Sequence, residues 1–121
     1  MRVASMLVGL GLAVTVTAAA QAKEPRISDV EYLQASRCKG LSASPAGGQI
    51  DASRLDALLK RQSQARPDAI LQKGEEVMRA ARRQGRDADR STRLAAELSG
   101  ACAAFLTGDI AAAQPARAPA S

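Results

Sequence analysis

Only two cysteines, Cys38 and Cys102, occur among the 121 residues of this sequence, so the chain can cross-link itself in one way only. In an exported chain an even cysteine count reads as a disulfide. Closing a loop of this size stabilises a fold by about 4 kcal/mol in the chain-entropy model, comparable with the whole net stability of a marginal domain. The core that the bond supplements is thin. Tyr32 and Phe105 are the only aromatics and tryptophan is absent, so Leu, Ile, Val and Ala must fill the interior. The bond is therefore expected to be required for the fold to persist. A metal site built on the same two cysteines would lack any histidine and any C-x-x-C spacing. Neither metal nor cofactor is expected.

Export is itself an expectation from the first residues. "MRVASMLVGLGLAVTVTAAAQA" has one basic residue, Arg2, an apolar run from Leu7 to Val16, and small residues closing at Ala20-Gln21-Ala22. This is the three-part layout of a secretory signal cleaved after Ala22. The competing reading is an uncleaved membrane anchor, since Val3 to Ala20 is uncharged and just long enough to span; the threonines, glycines and small-residue exit favour cleavage. No cysteine near that point offers a lipid anchor. The expected organisation is a signal peptide over 1–22, one disulfide-linked helical domain over 23–108, and a disordered Ala/Pro-rich tail over 109–121 with Pro115 and Pro119. The expected location is the periplasm or the medium.

Within the domain nothing alternates like a strand. Ser28-Asp-Val-Glu31 has the form of a capping box, with Ile27 and Tyr32 at staple spacing. A first helix is expected from about Asp29 to Lys39, stopped by Gly40, with Val30, Leu33, the Arg37 stem and Cys38 facing inward. "LSASPAGGQ" reads as a loop. Asp51 or Ser53 caps a second helix with Leu55, Leu58 and Leu59 on one face, ending near Ala65 because Arg66 precedes a proline. Pro67 opens a third, in which Ile70, Leu71, Val77, Met78 and Ala81 share a face with Gly74. The missing side chain of Gly74 suits the close approach of another helix. Asp87 or Asp89 caps a fourth, running through Leu94, Leu98, Cys102 and Phe105 to Gly108. The expected fold is all-α: a small bundle of about four short helices after a cleaved N-terminal signal helix, the first and last joined by the disulfide.

Residues 78 to 93, "MRAARRQGRDADRSTR", contain six arginines. Removing the signal peptide leaves 16 Lys+Arg against 12 Asp+Glu, a net +4, and this segment with its two aspartates is also +4. At about 100° per residue Arg79, Arg82, Arg83, Arg86, Arg90 and Arg93 would share an arc of roughly 100° on one straight helix. The apolar stripes on either side are out of phase by roughly 115°, so a break at Gly85 is expected instead. The first four arginines then lie at a helix C-terminus, where the dipole favours cations. Glu75 could pair with Arg79 at i+4. Arg90 and Arg93 fall in the first turn of the next helix, where the dipole opposes them.

Catalysis needs a group that titrates or attacks near neutral pH. There is no histidine, both cysteines are assigned to the bond, and no G-x-S-x-G or S-x-x-K occurs. An enzyme is not expected. The arginine segment is either a solvated face that keeps the domain soluble or a site for an anionic partner, whose carboxylate or phosphate oxygens suit the guanidinium fork. Such a partner could be an acidic protein or an anionic envelope component, with peripheral membrane contact; nucleic acid is disfavoured because no aromatics are interleaved for stacking. The expected function is that of an exported helical interaction protein of the bacterial envelope. The alternative is an acid-responsive holdase, since small exported helical chains with one disulfide are similar in layout to acid-activated periplasmic chaperones, without a shared motif.

Overall fold

In a computed structural model, which describes residues 25–108, these residues fold into five α-helices: α1 (Asp29–Ser42), α2 (Ser53–Ser63), α3 (Asp68–Gln84), α4 (Ser91–Ser99) and α5 (Ala103–Thr107). Two 3-10 turns, Pro45–Gly47 and Ala88–Arg90, precede α2 and α4. There is no strand among the described residues. The expected signal peptide and tail lie outside them.

The capping box forms as the sequence requires. The Ser28 hydroxyl accepts from the Glu31 amide at 3.1 Å, and the Glu31 carboxylate accepts from the Ser28 amide at 3.4 Å. Gly40, however, does not stop α1, which continues to Ser42. A Cβ on Gly40 would lie 2.2 Å from the Met78 carbonyl oxygen and 2.8 Å from the Ala81 Cβ. The residue is glycine because α3 crosses there, and a packing requirement overrides the stop signal. Gly74 does admit a neighbour as expected: its Cβ would meet Ser36 Oγ and Tyr32 Cε1, both at 3.1 Å. These contacts pair 32 and 36 with 74, and 40 with 78 and 81, so α1 and α3 run side by side in the same direction.

This register rotates α1 away from the expected inward stripe. Val30 is 65% exposed. The buried face is Tyr32, Ala35, Ser36, Cys38 and Leu41, with Leu33 only partly covered. Small residues sit where the helix backbones come close, and Val30 has no partner on that side. The core gathers Ile27, Leu41, Leu55, Leu58, Leu94, Leu98, Cys102 and Phe105 around α1, which touches all four other helices.

The expected fourth helix is two. α4 ends at Gly100, whose φ and ψ of −101° and −94° leave the helical region, and the chain resumes as α5 after Cys102. The bend lets α4, with buried Leu94 and Leu98, pack on the Pro45–Gly47 turn and α1, while α5, with buried Phe105, packs mainly on α2. The disulfide forms between Cys38 in α1 and Cys102 at the start of α5, with Cα atoms 5.6 Å apart. It thus joins the first helix to the last.

Candidate functional site

α3 ends at Gln84 with Gly85 as its C-cap, so the break between the two basic stretches is real. The Gly85 carbonyl accepts from the Ala46 amide at 3.2 Å, tying the corner to the Pro45–Gly47 turn. Arg79, Arg82 and Arg83 therefore occupy the last turns of α3. Arg86 lies beyond the C-cap, in the turn closed by its amide on the Arg83 carbonyl at 3.2 Å, and not on the helix itself. Arg90 closes the second 3-10 turn and Arg93 lies in the first turn of α4. All six side chains are exposed.

Their pairing differs from expectation in two places. Arg90 is neutralised locally: its Nε lies 3.2 Å from Asp87 Oδ2, and Asp87 also caps the turn by accepting from the Asp89 amide at 3.0 Å. A cation at the start of α4 is thus tolerated because its aspartate arrives one turn earlier. Glu75 and Arg79 form no ion pair, and Glu76 turns to Lys73 at 3.6 Å. Among the described residues, Arg79, Arg82, Arg83, Arg86 and Arg93 have no carboxylate partner.

Two other arginines show the contrast. Arg37 holds both oxygens of Glu97, from Nε at 2.8 Å and Nη2 at 2.9 Å, and donates from Nη1 to the Gln84 side-chain oxygen at 2.8 Å. The Glu97 hydrogen bond raises its pKa. This fork fastens α1 to α4 and to the end of α3. The side chain of Arg66 is wholly inaccessible. It donates to the Gln62 carbonyl at 2.6 Å, to the Ile27 carbonyl at 2.6 Å and to Asp29 Oδ1, and lies 4.6 Å from the centre of the Tyr32 ring. Gln62 extends the network, accepting from the Ile27 amide at 3.1 Å and donating to the Pro25 carbonyl at 3.2 Å. Reading Arg66 only as a pre-proline residue misses this role; an arginine in the α2–α3 link, after the turn at Ala65 with φ of 64°, carries no sequence signal of burial.

The described residues contain no group of three or more His, Cys, Asp or Glu placed to hold a metal ion, and no helix among them is long and apolar enough to cross a membrane. No protein-family model matches the sequence, and no match is found among curated proteins or solved structures.

Proposed function

We propose that this chain is an exported interaction protein of the bacterial envelope, released by cleavage after Ala22, which binds an anionic partner through Arg79, Arg82, Arg83 and Arg86, with Arg93 and the Asp87-paired Arg90 beside them. One observation carries the reading. The half-buried Arg37 and the buried Arg66 each take a carboxylate, while five of the six in the basic segment stand exposed without one among the described residues. Unpaired guanidiniums close together keep their donors for an external carboxylate or phosphate.

The test is retention of the oxidised protein, from Lys23 onward, on washed envelope fractions and on soluble extract, beside a variant with Arg79, Arg82, Arg83 and Arg86 changed to Gln. Gln retains helix propensity, so helicity is expected to be unchanged. Retention that falls with added salt and with the variant supports the site, because exposed charges are screened beyond about 10 Å at 0.1 M salt. Equal retention of the two proteins returns the segment to a solvated face.

The acid-responsive holdase reading has its own observation. Three ion pairs join α1 to its neighbours, Asp29 with Arg66, Lys39 with Asp56 and Arg37 with Glu97, and each depends on a carboxylate. Anilinonaphthalene sulfonate binding and client protection that appear only at low pH are its expected signs.

A further inference from the structure

α2 and α3 are consecutive, yet both pack on α1 and hardly on each other. Between them lies a trough of about 330 Å³, floored by Tyr32 and Ser36 of α1 and walled by Leu59, Lys60 and Ser63 on one side and Glu75, Met78 and Arg82 on the other. Lys39 and Asp56 also line it.

Its charges are sorted by end. α1 and α3 run in the same direction. α2 runs against them, because Asp56 near its start reaches Lys39 at 3.5 Å while Gln62 near its end binds Ile27. One end of the trough therefore has Tyr32, Ser63 and Glu75. The other has Lys39, Asp56 and Arg82. Asp56 is shared by Lys39 and Lys60, at 3.5 and 3.6 Å, so the net character of that end is cationic. Arg82 and Glu75 have no ion-pair partner among the described residues. They stand seven residues apart on α3, about 10 Å along the axis at 1.5 Å per residue.

Tyr32 adds an independent sign. The residue is only 7% exposed, and its hydroxyl makes no hydrogen bond to another described residue, which leaves it free to donate outward. Among the described residues no fully enclosed side-chain N or O atom lacks a partner, so this hydroxyl keeps accessible surface, and Tyr32 lines the trough. The ring is fixed between the Arg66 guanidinium and the Gly74 backbone. Burial, the largest influence, and nearby Glu75 raise its pKa against the opposing effect of Arg66, and it stays a neutral donor at physiological pH.

We infer that the trough binds a short peptide with free termini, its carboxylate at Arg82 and Lys39 and its ammonium at Glu75, with the Tyr32 hydroxyl donating to a peptide carbonyl. Three extended residues span about 10 Å at 3.3 to 3.6 Å each, which matches the spacing of residues 75 and 82 along the α3 axis. Leu59 and Met78 offer apolar walls to small side chains, and the volume lies at the lower end of the range for small-molecule sites. This site goes beyond the arginine surface and shares only Arg82 with it. Its failure leaves the other arginines' role intact, and the converse holds.

Trialanine is the probe. Binding is followed by the emission of Tyr32, the only tyrosine in a chain without tryptophan, and by amide shifts in ¹⁵N-labelled protein. Saturable binding is expected, with shifts centred on Ser36, Ser63, Gly74 and Met78. Glu75→Gln is expected to weaken trialanine three- to tenfold but to leave N-acetyl-trialanine unaffected, and Arg82→Gln is expected to weaken trialanine similarly but to leave trialanine amide unaffected. Lys73→Gln, an exposed α3 cation outside the trough, is the charge control and should change nothing. Absence of saturable binding at millimolar trialanine overturns the proposal. So does equal binding of trialanine and its doubly blocked form, or equal weakening by Lys73→Gln.

Discussion

Arg66 shows how much one side chain can organise. Its guanidinium ties the Pro25–Ser28 segment to the end of α2 through Ile27, Gln62 and Asp29, and Tyr32 covers its face. Replacing it with Met keeps the stem but leaves buried carbonyls without donors, at a cost of about 3 kcal/mol. The expected outcome is a lower denaturant midpoint with an unchanged slope. Tyr32 makes a second prediction. Its folded pKa is raised above the ordinary phenol value of about 10, mainly by burial, so the unfolded chain gives up the proton first. Stability is therefore held below pH 10 and declines as pH climbs from 10 through the folded value. A single-tyrosine absorbance titration should show a midpoint above 10, and Tyr32→Phe should lose less stability than the parent over that window. The sequence marked Tyr32 as a staple residue but not its contact with Arg66, because a partner 34 positions away has no periodicity to reveal it.

At the scale of elements, α1 and α3 make the central contact, and small residues set its distance. Gly40→Ala gains about 1 kcal/mol of helix propensity, yet the added Cβ meets the Met78 carbonyl oxygen at 2.2 Å. Overpacking against backbone is expected to win, destabilising the fold by about 2 kcal/mol net and lowering Tm by about 10 °C for a domain of this size. A Tm that rises instead would mean that the crossing relaxes without cost. Helix existence was legible for α1 to α3, since apolar spacing is local, and the α1 capping box forms, whereas α2 starts after Ala52 without the side-chain cap expected from Asp51 or Ser53. Two glycines were misjudged in opposite senses, Gly40 expected to stop a helix that continues through it and Gly100 passed over where a helix ends. Gly40 stays helical because α3 lies against it, while Gly100 breaks what looked like one helix because Leu98 and Phe105 must reach different neighbours.

For the whole molecule, the Cys38–Cys102 bond joins both ends of the helical order, while α5 itself is five residues long and too short to hold its place by propensity. Reduction, or Cys38→Ser with Cys102→Ser, is expected to remove about 4 kcal/mol, and amide exchange should quicken first in α4 and α5. Equal quickening throughout would mean that the helices open as one unit. The arginine segment was visible from the sequence as composition. Which of its members stay unpaired was not, because Asp87 captures Arg90 through a local turn while Glu75 leaves Arg79 alone. The sequence by itself determined the helical class, the first three helices, the break at Gly85 and the one possible disulfide, since these rest on capping, periodicity and counting. Only the tertiary structure decided which face of α1 turns inward, the burial of Arg66 and the trough between α2 and α3. Those follow from how closely two backbones approach, a distance that depends on residues far apart in the chain.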